Sequence, residues 1–197
     1  MKGKEFLIGD PHFYDDNIRL CERPKFTTVK SMNYFMIDNW NRVVDKNDTV
    51  YVVGDFFAQN CTEDDIVRIV DALHGRIVLI VGNHDIPLLG ILRKYMEVVE
   101  YPIVKDGFWI ISHEPMYVSE NAPYANIFAH VHNNPMYKDV SSRSFCVSTE
   151  RINYTPILLD DVKKAVIDSQ LLDTPWDLGD INNMFEEVQS RYMNNKE

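Results

Sequence analysis

The chain has 197 residues, 45% of them hydrophobic and 25% charged, and 20 basic against 30 acidic side chains leave a net charge of −10. That length suits one domain with a sizeable core, spanning residues 1–197, and the composition is that of an ordinary soluble globular protein. The acidic excess argues against tracking long nucleic acid through its phosphates, which takes basic patches, yet it allows a small phosphorylated substrate, because bound cations would reverse the local sign.

Cys21, Cys61 and Cys146 are an odd set without paired spacing, which reads as free thiols in a reducing compartment. Only Phe6-Leu7-Ile8 is apolar before Asp10, and no later apolar run reaches membrane length. The expectation is a cytoplasmic protein with no membrane partner.

Glu5 to Gly9 reads as a short buried strand with Asp10-Pro11-His12 at its end. In an extended segment residues i and i+2 point the same way, so Asp10 and His12 aim at one place. Phe13 to Phe26 is a loop or short helix. Thr27 or Thr28 then caps a helix whose apolar stripe is Val29, Met32, Met36, Trp40 and Val43. Thr49 to Val53 is the second strand, ending in Gly54-Asp55. Thr62 followed by Glu63-Asp64-Asp65 starts a helix that buries Ile66, Ile69, Val70 and Leu73 and stops at Gly75. His74, in that last turn, reads as structural.

Ile77 to Val81 is the third strand, leading into Gly82-Asn83-His84-Asp85. Strand, helix, strand, helix, strand is the pattern of α/β layering. Ile86 to Met96 is expected to be helical after Pro87. Val98 to Val104 and Phe108 to Ser112 read as a hairpin around Lys105-Asp106-Gly107, with His113 ending its second strand. Asn126 to Ala129 leads into His130-Val131-His132. Ser144 to Thr149 and Thr155 to Leu159 are further strands. A helix begins near Asp160, and another carries Ile181, Met184, Phe185, Val188 and Tyr192.

Asp10, His12, Asp55, Asn83, His113, His130 and His132 thus stand at strand exits, with His84 beside them, and five of the chain's six histidines fall in this set. Histidines buried for packing would be scattered. Seven donors exceed one coordination sphere and suit two ions. Oxygen and imidazole donors without thiolate fit Mn²⁺, Fe, Zn²⁺, Co²⁺ or Ni²⁺. Two such ions roughly 3.5–4 Å apart are the usual setting for phosphoryl hydrolysis, and they lower a bound water's pKa from about 15.7 to about 7. His84 would then be free for acid–base work at the departing oxygen.

In this order, Asp10-x-His12, Gly54-Asp55, Gly82-Asn83-His84-Asp85, His113 and His130-x-His132 resemble the motif set of the calcineurin-like metallophosphoesterases. The resemblance covers Asp10 to His132. It implies an α/β fold, a four-layer β-sandwich of two mixed sheets flanked by helices. It implies one metal on Asp10, His12, Asp55 and His132, and a second on Asp55, Asn83, His113 and His130, with Asp55 bridging and His84 catalytic. Asn17-Ile18, Arg23-Pro24 and Asn39-Trp40-Asn41 are similar to a small bacterial and phage branch. There are two departures. Ala129 stands where the last motif usually has Gly, a tolerable change, and Tyr14-Asp15 stands where the branch often has Gly-His.

Arg23 is the candidate phosphate contact, since a guanidinium fork matches phosphate oxygens, and Phe56 and Phe57 are expected in the core. The expectation is a dimetal phosphoesterase for a small phosphate mono- or diester. A non-catalytic metal-binding or interaction protein on the same fold and a nuclease relative are the alternatives. Complete ligands speak against the first, the lack of a basic stripe against the second. Oligomeric state, metal identity and substrate stay open.

Overall fold

The computed structural model describes residues 3–119 and 121–172. Two five-stranded mixed sheets form the body. The first has the order β10-β1-β2-β3-β4, from β1 (Glu5–Ile8), β2 (Thr49–Val53), β3 (Arg76–Ile80), β4 (Glu97–Val99) and β10 (Ile157–Leu158). Its first four strands run parallel, and β10 closes the edge antiparallel to β1. The second has the order β5-β6-β7-β9-β8, from β5 (Ile103–Lys105), β6 (Trp109–Ile111), β7 (Ala125–Phe128), β8 (Val140–Ser141) and β9 (Ser144–Cys146). Here β6, β7 and β9 are parallel, with an antiparallel partner at either edge.

Helices α1 (Asp16–Cys21), α2 (Val29–Val43), α3 (Glu63–Ala72), α4 (Leu89–Leu92) and α5 (Leu159–Leu172) flank the sheets. Thr28 caps α2 by accepting the Ser31 N–H, and Ser31 returns the bond to the cap's own N–H. Met32, Met36, Trp40 and Val43 are buried along its inner face, as the three- and four-residue spacing predicts. Thr62 and Asp65 build the same reciprocal cap on α3, which buries Ile66 and Ile69. One apolar core joins residues of both sheets, among them Leu7, Val52, Leu79, Ile111, Ile127 and Phe145, with Phe56 and Phe57 at 0% exposure inside it.

The sheets meet at the carboxyl ends of their parallel strands. The Gly9 N–H donates to the Val147 carbonyl (2.7 Å), the Thr149 N–H donates to the Gly9 carbonyl (2.9 Å), and Gly9 bridges Ser148. Close approach explains the glycine: a Cβ on Gly9 would lie 2.2 Å from the Ala129 Cβ.

Four sequence expectations are revised. The stretch Val98 to Val104 is two strands in different sheets, β4 and β5, separated at Glu100-Tyr101-Pro102 where the chain crosses over. Apolar alternation does not reveal such a crossing, because both halves are half-buried strand. Ile86 to Met96 holds only a 3-10 turn (Ile86–Leu88) and the single turn of α4. The third strand starts and stops one residue earlier, and β8 is an addition. The apolar stripe of Ile181, Met184, Phe185, Val188 and Tyr192 lies outside the described residues. Among those described, no helix is long and apolar enough to cross a membrane.

Candidate functional site

Each donor sits just past a strand. Asp10 and His12 follow β1, Asp55 follows β2, Asn83 and His84 follow β3, His113 follows β6, and His130 and His132 follow β7. Because the parallel strands of both sheets end at one place, the eight positions converge there, outside the carboxyl ends where α/β sheets bind ligands. Asp10 (φ 52°), His12 (47°), Asp55 (52°), His130 (71°) and His132 (46°) all have left-handed backbone. Such conformations cost about 1–3 kcal/mol each and persist where surrounding structure enforces them, most often at functional sites.

The turns are braced from within. Asp85, fully buried, accepts the N–H groups of Asp55 (2.8 Å), Phe56 (2.9 Å) and Gly82 (2.8 Å), locking the β2 and β3 exits together. Burial pushes its carboxyl up to about 6, against the pull of those amides. A Cβ on Gly82 would lie 2.3 Å from Asp55 Oδ1, so only glycine lets the two exits approach this closely. Asp10 accepts the His130 N–H at 2.8 and 3.0 Å, tying the first sheet's exit to the second's.

The donor atoms form groups with the spacing a cation needs. Asp10, His12 and His132 form one, and Asp55, His113 and His130 another, each with donor atoms within 4.8 Å of one another. Asp55 Oδ2 stands between the groups, 3.6 Å from His12 Nε2 and 3.4 Å from His113 Nε2. His113 Nε2 also lies 3.1 Å from Asn83 Oδ1 and 3.1 Å from His130 Nδ1. A third group with this spacing is His12, Asp15 and His84.

Three observations fit these residues to divalent cations. His12 is buried with its Nδ1 3.3 Å from Asp15 Oδ2 and its Nε2 3.6 Å from Asp55 Oδ2, so both ring nitrogens face carboxylates without a well-formed hydrogen bond among the described residues, a donor set that a cation would complete. Burial should keep the His113 imidazole neutral, yet its hydrogen bond to Asp55 and the charge of Asp10 push its pKa up to about 9. Burial would raise Asp55, but the hydrogen bond and charge of His113 hold it down at about 2. The cage favours positive charge, and its oxygen and imidazole donors suit divalent transition metals.

His84 is set apart. Its N–H donates to Asp55 Oδ1 (2.8 Å), its ring meets the His12 ring edge-on at 4.8 Å, and its buried Nδ1 has no hydrogen-bond partner among the described residues. The ring borders an open recess of about 460 Å³ shared with Tyr14, Asp15, Asn17, Gln59 and Asn60. His74 lies elsewhere, its backbone bonded to the Asn41 and Trp40 side chains.

Arg23 is not at a substrate surface. Its side chain is 0% exposed, and its guanidinium donates to Glu150 Oε1 (2.6 Å), the Pro11 carbonyl (2.7 Å) and the Asp10 carbonyl (2.5 Å). It therefore supports the Asp10–His12 turn from behind and has no fork to offer a phosphate. Glu150 in turn faces His132 Nδ1 at 3.1 Å. Burial would raise Glu150, but the charge of Arg23 and the hydrogen bond to His132 hold its pKa at about 2. Arg151 donates to the carbonyls of His132 (2.5 Å) and Asn134 (2.7 Å), fixing the same loop. Glu150 and Arg151 escape the sequence reading, although they follow the Ser144–Thr149 run as the other donors follow theirs.

The comparisons agree with this geometry. The calcineurin-like phosphoesterase family profile matches residues 6–191. An uncharacterised protein of Methanocaldococcus jannaschii is 33% identical over 180 residues, 89% of this chain and 98% of that protein. The symmetrical bis(5'-nucleosyl)-tetraphosphatase of Escherichia coli is 32% identical over 87 residues, 44% of this chain but 25% of that enzyme. An Aquifex aeolicus protein of unknown function superposes with a TM-score of 0.63 at 27% identity, covering 82% of this chain and 98% of that one. With the profile spanning nearly the whole chain and the sheets arranged as its motifs imply, the protein belongs to the calcineurin-like phosphoesterase family.

Proposed function

We propose that this protein is a dimetal-dependent phosphoesterase that hydrolyses a small phosphate ester with water. The observation that carries the reading is the pair of donor groups meeting at Asp55. Asp10, His12 and His132 would hold one cation and Asn83, His113 and His130 the other, with Asp55 shared. When bound, the two ions would polarise the phosphate and lower the pKa of a water.

The chain's own residues do the rest. Asp85 keeps Asp55 and the Gly82 turn in register, and Glu150 fixes the ring of His132. His84 borders the open recess, where it would give its proton to the leaving oxygen.

His84→Ala should keep both metals by elemental analysis yet lose about 10²–10⁴ in kcat. The loss should shrink for a nitrophenol leaving group, which needs little protonation. Asp55→Ala should lose metal and activity together, whatever the leaving group. A His84→Ala protein that binds fewer ions would make His84 a ligand, as its grouping with His12 and Asp15 allows. Wild type that turns over after exhaustive chelation would overturn the metal reading.

A further inference from the structure

Two recesses open on the candidate centre, and their walls differ. The His84 recess is polar, walled by Tyr14, Asp15, Asn17, Gln59 and Asn60. The other, of about 340 Å³, opens on Asn83 and His113 and is walled by Ile86, Tyr101, Pro102 and Met116. Ile86 is 60% exposed, Tyr101 78% and Met116 44%. Large apolar side chains held open beside a polar centre mark a place where an apolar group binds. This wall is built. Buried Asn126 accepts the Met116 N–H at 2.7 Å and donates to Ser112 Oγ at 2.8 Å, while Ser112 Oγ donates to the Glu114 carbonyl at 2.7 Å.

Charge completes the argument. Among the described residues lining either recess, none is lysine or arginine. Asp15 and Asp16 stand on the polar side, Glu100 and Glu114 on the apolar side. Of the cations around the recesses, Arg19 is paired with Asp16 and the Phe26 carbonyl and Arg93 with Glu100, while Arg68 stands near Tyr14 and Asp65 behind the polar wall. A second phosphate seated against the described lining of either recess would touch carboxylates and no lysine or arginine.

We infer that the substrate is a single-phosphate diester: a flat, uncharged apolar substituent in the recess of Ile86, Tyr101, Pro102 and Met116, and an uncharged polar alcohol beside His84. This rests on the phosphoesterase reading and narrows it. In the reaction, water supplies the oxygen that bonds to phosphorus and the P–O bond to the polar alcohol breaks. His84 passes a proton to that alcohol and is reprotonated by the proton the water loses. The apolar group leaves later, as a monoester.

The test holds the leaving group constant and varies the retained one. The full-length Mn²⁺-loaded protein is assayed on p-nitrophenyl phosphate esterified further with phenyl, with methyl, with nothing, or with a second phosphoryl group. We expect kcat/KM for phenyl to exceed methyl by about tenfold, the worth of burying a few apolar carbons, and both to exceed the other two. Tyr101→Ala and Met116→Ala should each shrink the phenyl-to-methyl ratio. Calorimetry adds a readout without turnover: the product phenyl phosphate should bind wild type more tightly than methyl phosphate, and lose that margin in both variants. The inference is overturned if the monoester or the phosphoryl compound is hydrolysed as well as the phenyl diester, or if phenyl preference survives both substitutions. Hydrolysis of none of the four overturns the phosphoesterase reading, and this one with it.

Discussion

At the scale of single residues, the supporting shell behind the donors is as specific as the donors. His132 presents Nδ1 to Glu150, which leaves Nε2 for the centre, and Arg23 holds Glu150 from the far side. A carboxylate behind a ligating imidazole fixes its tautomer and direction, and losing it usually costs 10–100-fold in metal affinity. Glu150→Gln should therefore weaken one of two metal-binding steps by about that factor and spare the other, in competition against a chelating dye. Equal weakening of both steps would mean Glu150 acts on the whole fold. Arg23→Met leaves a buried carboxylate without its cation, a change worth about 3–5 kcal/mol, and denaturant unfolding should show a loss of that size. The folded pKa of Glu150 is depressed, so its contribution is present above the ordinary carboxylate range and lost as pH falls toward about 2. An Arg23 at a substrate surface would have predicted a raised KM and unchanged stability.

At the scale of elements, the strand exits carry the design. The candidate donors stand just past the parallel strands β1, β2, β3, β6 and β7, and the two sheets approach through Gly9 and Ala129, which have little or no side chain. Gly9 and Ala129 are the contact: Ala129 fits because Gly9 has no Cβ. Gly9→Ala should destabilise the protein by about 1–3 kcal/mol through overpacking. Adding Ala129→Gly should recover part of that loss, a coupling that a double-mutant cycle in denaturant measures. Strict additivity would show that the sheets adjust independently there. The departure from glycine at 129 is thus tolerable for a definite reason, the glycine facing it. Gly82 follows the same rule against Asp55, whose carboxylate a Cβ would collide with.

At the scale of the whole molecule, the donors come from exits of both sheets: Asp10, His12, Asp55 and Asn83 from the first, His113, His130 and His132 from the second. Cations bound there would link the sheets and stabilise only the folded chain. Each site should add about 2.7 kcal/mol when free metal is a hundredfold above its Kd, and calorimetry should show the melting midpoint rise on metal addition and fall on chelation. A midpoint indifferent to metal would argue against both sites. The net charge of −10 belongs to this scale too, since on the proposed reading bound cations would be needed to reverse the local sign before any phosphate could approach.

What the sequence determines by itself is whatever depends on neighbours along the chain. Ile77 to Val81 followed by Gly82-Asn83-His84 is enough to put polar donors past a buried strand, because a short β-branched apolar run and a glycine act over a few residues. The caps at Thr28 and Thr62 are legible for the same reason. The tertiary structure decides everything that requires two distant segments to meet. Arg23 reads as a solvent-facing phosphate contact until Glu150, 127 residues later, is seen to bury and pair it. Val98 to Val104 reads as one strand until Glu97–Val99 adds to one sheet and Ile103–Lys105 to the other. Asp85 reads as part of a motif until its carboxylate is found holding the amides of Asp55 and Phe56. Which recess is apolar is settled last, because Ile86, Tyr101 and Met116 become one wall only when the two sheets close beside each other.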